Sequence, residues 1–224
     1  MKTVTLFGDS ILFGIITNQN GKYEKNKNFD LRALAKECDV DLLNISRMGR
    51  NSREGVQAVL DYLKEHDAPE YAVIEFGGND ADHEWKIISK DPSPRSPKIP
   101  LDEYVKNLEE MAKILEANGP KVSYMNLPPV ISKPFFDFVT PTEEAKRNTL
   151  KFLGCYDKIF EVHSTYNDAV EKHALVTGRP LIDIRTPLLS QPDLSPYVCM
   201  DGVHPSPLGY DLIKEEIRKY LINL

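Results

Sequence analysis

Four short stretches of this chain carry chemically able side chains at points where the backbone turns. They are "GDS" at 8–10, "NISRMGRNS" at 44–52, "FGGND" at 76–80 and "MDGVHPSPLGY" at 200–210. Together they supply a hydroxyl at Ser10, an imidazole at His204, a carboxylate at Asp201 and an amide at Asn79. Acyl transfer needs this set. A serine hydroxyl is a weak nucleophile until a neutral imidazole takes its proton. The imidazole needs a carboxylate to fix its tautomer and to stabilise the imidazolium that forms. The oxyanion of the tetrahedral intermediate needs donors already aimed at it, and the backbone N–H groups of Ser10 and Gly49 with the Asn79 side chain would serve. Asp9, next to Ser10, can hydrogen-bond the turn and hold it. Taken alone, Ser10 is an ordinary polar turn residue. The set makes the case.

Such a set works only if elements far apart in sequence bring it together. Short β-branched or apolar runs at Lys2–Phe7, Asp41–Ile45, Tyr71–Phe76, Lys121–Asn126 and Pro180–Ile184 read as strands. Amphipathic stretches lie between them, with apolar stripes such as Val56, Val59, Leu60, Leu63 and Leu101, Val105, Leu108, Leu115. A third stripe runs from Ile159 through Tyr166 to His173. Asn51 with Glu54 can form a capping box, while Thr140–Pro141 and Ser206–Pro207 place proline at a first helical position. The alternation predicts an α/β fold, a three-layer α/β/α sandwich around a mostly five-stranded parallel sheet of flavodoxin-like type. No linker or repeat divides the chain, so residues 1–224 are expected to form a single domain. In open parallel sheets, ligands bind beyond the carboxyl ends of the strands. Ser10, Gly49 and Asn79 each follow a predicted strand.

Composition narrows the classes. The 224 residues are 41% hydrophobic and 28% charged with a formal net charge of −6, which favours a folded core and argues against a broad nucleic-acid surface. No apolar run approaches the roughly 18 residues of a membrane span, and no signal-peptide pattern opens the chain. The three cysteines, Cys38, Cys155 and Cys199, lack metal-binding spacing and read as free thiols. A cytoplasmic location is the expectation.

With these residues in view, the sequence resembles the SGNH hydrolases, also called GDSL-type esterases and lipases. The family's four namesake residues fall on Ser10, Gly49, Asn79 and His204, and its last block, "DGVHPS", supplies Asp201. The blocks run from Gly8 to Pro205 in the family's order. The resemblance implies a serine esterase with a Ser10–His204–Asp201 triad, an oxyanion hole at Ser10, Gly49 and Asn79, and neither cofactor nor metal. Ile11–Leu12 stand where many members carry a tryptophan-containing variant, and the G-x-S-x-G elbow of ordinary α/β-hydrolases is absent. "GRNS" resembles the "GRT" loop of the small-ester branch and tilts the reading toward short acyl groups.

Asp9, Arg50, His83 and Phe135 are candidates for the substrate side. Arg50 has an equal claim as a solvated or ion-paired residue, like Arg47 and Arg53. His163 and His173 read as satisfied, half-buried side chains of the third stripe, and His66 as solvated. Asp80, Asp82, His83 and Glu84 form an acidic cluster, but no second cluster supports a metal there. Two long segments, 81–100 and 127–140, are expected to be loops on the active-site side that could act as lids. The expected partner is a small-molecule ester, an acetylated carbohydrate being one candidate. A lysophospholipase or thioesterase, or a non-catalytic glycan- or ester-binding relative, stands as the alternative. A nucleotide site would need a phosphate-cradling loop after the first strand, and "GDSILFG" is a poor one.

Overall fold

The computed structural model describes all 224 residues. Seven strands occur in chain order: β1 (Lys2–Gly8), β2 (Ile15–Thr17), β3 (Tyr23–Lys25), β4 (Val40–Asn44), β5 (Tyr71–Glu75), β6 (Lys121–Met125) and β7 (Leu181–Ile182). Five of them form one sheet in the order β4-β1-β5-β6-β7, and every pairing in it is parallel. The reading of a flavodoxin-like sheet covered on both faces is correct. The predicted strands match those of the sheet, with ends displaced by up to two residues.

Alternation along the strands builds two cores. On β1, Val4 and Leu6 face one way, toward Leu34, Ile213 and Ile217. Phe7 faces the other way, toward Val59, Leu108 and Met111. On β5, Val73 joins the first core while Ala72 and Ile74 join the second. The long helices Ser52–Glu65, Leu101–Ala117 and Pro207–Ile222 cover the sheet with their apolar stripes, and the starts of two of them are fixed by local caps. The Asn51 side chain accepts the Glu54 N–H at 3.0 Å, and Glu54 accepts the Asn51 N–H at 3.1 Å, which completes the capping box of the helix Ser52–Glu65. Ser206 caps the helix Pro207–Ile222 by accepting the Gly209 N–H at 3.3 Å.

Two sequence expectations need correction. The segments 81–100 and 127–140 are not all loop, because Trp85–Ile88 forms a one-turn helix in the first and Ser132–Val139 a helix that buries Phe136 in the second. The next helix is Glu143–Leu153 and does not start at Pro141. The Thr140 hydroxyl is already spent on the Phe136 carbonyl, closing the preceding helix, and Thr142 caps the new one by accepting the Ala145 N–H at 3.1 Å. The antiparallel hairpin of β2 and β3, just past Ser10, has no counterpart in the sequence reading.

Candidate active site

Ser10 follows β1 directly and opens a one-turn helix, Ser10–Phe13. Asp9 caps that turn, its Oδ1 accepting the Ile11 N–H at 2.9 Å. Asp201 and His204 lie on the loop before the last helix. That helix is tied to the first turn of the chain by Tyr210, whose hydroxyl donates to the Ile15 carbonyl at 2.8 Å. The two ends of the sequence meet there.

The meeting places His204 Nε2 3.0 Å from Ser10 Oγ and His204 Nδ1 2.6 Å from Asp201 Oδ2. All three side chains are buried. The other carboxylate oxygen of Asp201 accepts the backbone N–H groups of Val203 and His204, each at 3.1 Å. The Thr17 hydroxyl adds a short bond to Oδ2. Burial works to raise the Asp201 pKa, but the hydrogen bond and charge of His204, with Thr17 behind them, hold it below the ordinary value. Asp201 therefore faces His204 as a carboxylate.

The groups expected as oxyanion donors lie around Ser10. The backbone N–H groups of Ser10 and Gly49 have no acceptor within the protein. Gly49 takes a left-handed φ of 79°, which suits glycine and turns its loop. The Asn79 amide differs from expectation in one respect. Both of its N–H groups are engaged, one on Asp9 Oδ2 at 3.0 Å and one on the Arg50 carbonyl at 3.1 Å. An entering oxyanion must displace one of these acceptors. The Arg50 carbonyl belongs to an exposed loop, whereas Asp9 is buried, so the Arg50 bond is the one that can yield.

These residues open into a cavity of about 170 Å³. Asp9, His83 and Phe135 reach its wall; Arg50 does not. The Arg50 guanidinium turns back to donate to the Ile45 carbonyl at 3.0 Å, bracing the Gly49 loop. Its neighbour Arg53 pairs with Glu103 at 2.7 Å. Apolar walls come from Trp85, Phe135, Val130, Ile159 and Val162. Trp85 and Phe135 meet edge to face at 5.7 Å. The helix that bears Phe135 is fastened to the His204 loop, since Ile131 N–H donates to the Gly202 carbonyl at 2.7 Å. Gly202 has a φ of 73°, and a Cβ there would lie 2.5 Å from backbone atoms of Ile131 and Phe135. Only glycine lets the two backbones approach so closely.

The acidic cluster is dispersed among separate partners. Asp80 binds Ser52, Asp82 binds Trp85 and Lys98, and His83 Nδ1 lies 3.3 Å from the Ser96 carbonyl. No three His, Cys, Asp or Glu side chains converge as a metal site would require. His163 departs from its expected role. It is buried on the cavity wall with Nδ1 unpartnered, and burial with the nearby Arg185 charge lowers its pKa to about 3. His173 does find a partner, Glu109, at 3.1 Å.

Several site residues escaped the sequence reading. Thr17 supports Asp201, Tyr23 sets its ring edge-on to His204 at 5.2 Å between centroids, and Glu75 lies beneath Asp9. Thr17 and Tyr23 belong to the hairpin of β2 and β3, which no motif marks. Glu75 had a visible signal, an acid at the end of an otherwise apolar strand.

The chain is similar to known proteins in sequence and in fold. The model of the family described as GDSL-like Lipase/Acylhydrolase matches residues 4–217. A GDSL esterase/lipase of Oryza sativa subsp. japonica is 25% identical over 187 residues, covering 81% of this chain and 65% of that protein. The isoamyl acetate-hydrolyzing esterase 1 homolog of Homo sapiens is 30% identical over 188 residues, covering 80% and 67%. This chain thus spans 65% of the length of the rice relative. Among solved structures, a lipase/acylhydrolase from Enterococcus faecalis superposes with a TM-score of 0.71 at 19% identity, covering 100% of this chain and 96% of that one. No helix of this chain is long and apolar enough to cross a membrane.

Proposed function

The chain belongs to the GDSL-like lipase/acylhydrolase family, and on that premise we propose that it is a serine esterase cleaving a carboxylic ester through Ser10, His204 and Asp201. The observation that carries the reading is the 3.0 Å approach of His204 Nε2 to Ser10 Oγ across nearly the whole sequence. Ser10 Oγ attacks the ester carbonyl while His204 Nε2 takes the hydroxyl proton. The imidazolium is stabilised by Asp201, and the new oxyanion accepts from the Ser10 and Gly49 N–H groups and the Asn79 amide. The Asn79 bond to the Arg50 carbonyl is exchanged for the oxyanion at this step. His204 then protonates the leaving alcohol, and the ester bond breaks to leave an acyl-Ser10. Water, activated by the same imidazole, attacks that acyl group and releases the acid.

We assign a small acyl group to the substrate. A cavity of about 170 Å³ walled by Trp85 and Phe135 supports that size. The human relative is named for isoamyl acetate, a small acetate ester, which favours the same class. The two segments 81–100 and 127–140 serve this reading as walls of the cavity, and the second is fixed, since its helix Ser132–Val139 is hydrogen-bonded to the His204 loop. The unpaired cysteines, with Cys199 Sγ donating to the Pro205 carbonyl at 3.3 Å beside His204, suit a reducing compartment such as the cytoplasm.

A hydrolysis panel of p-nitrophenyl esters from acetate to palmitate, with acetylated xylose and cellobiose included, tests the assignment. Activity should fall sharply beyond butyrate, and Ser10→Ala should abolish it and abolish fluorophosphonate labelling. A Ser10→Ala protein as active as the parent would refute the proposed nucleophile. A preference for palmitate would refute the assigned acyl size.

A further inference from the structure

Glu75 is a buried carboxyl that the reaction above does not use. It ends β5 with 0% exposure. Its Oε2 accepts the Asp9 N–H at 3.2 Å, and its Oε1 has no partner. No Lys or Arg pairs with it, and the charge nearest to it is that of Asp9. The fold reserves the place: a Cβ on Gly8 would come within 2.8 Å of Glu75 Oε2. Ala72, Val73 and Ile74, the three residues before it, are wholly apolar. An ionised carboxylate sealed here without a cation would cost several kcal/mol.

A neutral carboxyl avoids that cost and gains a donor. Burial first, and then the charge of Asp9, raise the Glu75 pKa well above its ordinary value. The two carboxyls adjoin, since Glu75 Oε2 accepts the Asp9 N–H at 3.2 Å, and a proton on one of them relieves the repulsion of two neighbouring negative charges. Asp9 then spends its oxygens forward: Oδ1 on the Ile11 N–H and Oδ2 on the Asn79 amide. A continuous chain runs from the end of β5 to the Asn79 side chain.

We propose that Glu75 is a positioning residue of the oxyanion hole: as a neutral carboxylic acid it donates a hydrogen bond to Asp9, which fixes the oxygen that holds the Asn79 amide. The proposal rests on Ser10 being the nucleophile and Asn79 an oxyanion donor. With Asp9 held from behind, one Asn79 N–H stays anchored while the other swings from the Arg50 carbonyl to the oxyanion. Without the Glu75 proton, Asp9 can rotate, and the amide loses its aim.

The test compares Glu75→Gln and Glu75→Met, alone and combined with Asn79→Ala, with p-nitrophenyl acetate as substrate and thermal unfolding as a check on folding. Glu75→Met should lower kcat by about 10- to 100-fold with KM nearly constant. Glu75→Gln keeps an N–H in place of the acid O–H and should stay within about threefold of the parent. In the Asn79→Ala background, Glu75→Met should cost no more than about twofold, because its effect passes through that amide. Equal losses in the Gln and Met variants, or losses that multiply with Asn79→Ala, would overturn the proposal. Infrared spectra decide the matter even if the Met variant fails to fold. The parent at pH 7 should show a protonated carboxylic acid carbonyl band that Glu75→Gln lacks, and loss of a carboxylate band instead would refute the donor role. Fluorophosphonate labelling of the parent separates the two layers. Normal labelling with failed Glu75 results removes Glu75 alone, whereas failed labelling removes the nucleophile on which it rests.

Discussion

The Thr17 hydroxyl donates to Asp201 Oδ2, the same oxygen that holds the His204 ring. The bond joins the second strand of the chain to the loop before its last helix. It shares the negative charge of Asp201 with a second donor and restricts the carboxylate to one rotamer. A hydrogen bond to a charged group is worth about 1.5–3 kcal/mol. Thr17→Val keeps the shape and removes the donor, so kcat/KM for p-nitrophenyl acetate should fall about 10- to 100-fold. A value equal to the parent's would remove Thr17 from the support of Asp201.

Asp80 carries a stability prediction with a definite sign. It lies in the one-turn helix Gly78–Ala81, accepts the Ser52 N–H, and is pushed up to about 7, chiefly by burial, which its bonds from Ser52 only partly offset. The unfolded chain releases this proton near the ordinary aspartate value, while the folded chain keeps it to about pH 7. Between those values the folded state binds more protons, so stability falls as pH rises and then levels off. Asp80→Asn removes that slope. Urea denaturation at pH 5 and pH 8 should show the variant losing less stability across the interval than the parent, by on the order of 2–4 kcal/mol. Identical slopes would mean that Asp80 is ionised throughout.

His163 acts in the opposite direction within an overlapping window. Burial and the Arg185 charge lower its pKa to about 3, so it stays neutral in the fold while the unfolded chain takes up a proton as pH drops. Here the unfolded state binds more protons, and stability falls as pH falls from about the ordinary imidazole value of 6.5. His163→Leu should therefore stabilise the protein more at pH 5 than at pH 7.5, by on the order of 1–2 kcal/mol. A constant difference between the two values would place the imidazole in contact with solvent.

The contrast between Ser10 and Thr17 explains how much of this site the sequence could reveal. Ser10, Gly49 and Asn79 follow strands of the sheet, where alternating apolar residues announce the strand and a turn announces its end. Asp201 and His204 were visible as types, because a Ser–His–carboxylate set has few other uses. Thr17 and Tyr23 act from a three-residue strand pair, too short to show a period, and their partners lie at the far end of the chain. Arg50 failed for a related reason: its charge suggests a ligand, but its Nη1 is satisfied by a carbonyl only five residues away. Glu75 is the intermediate case, a charge in an apolar strand, conspicuous in type but uninterpretable until Asp9 is seen above it.

Acyl selectivity gives the last prediction. Phe135 sits on the helix Ser132–Val139, its ring set edge-on against Trp85, and the two form one wall of the cavity. That helix is held to the His204 loop by the Ile131–Gly202 bond, so the wall is fixed relative to the reacting atoms. Phe135→Ala shortens the wall without touching Ser10 or His204. Each further methylene that the pocket can accept is worth about 1–3 kcal/mol in discrimination. The ratio of kcat/KM for hexanoate over acetate should rise by roughly tenfold or more, with acetate turnover changed much less. A parallel loss on both esters, with their ratio constant, would mean that the acyl chain leaves Ser10 in another direction and that Phe135 only packs its helix in place.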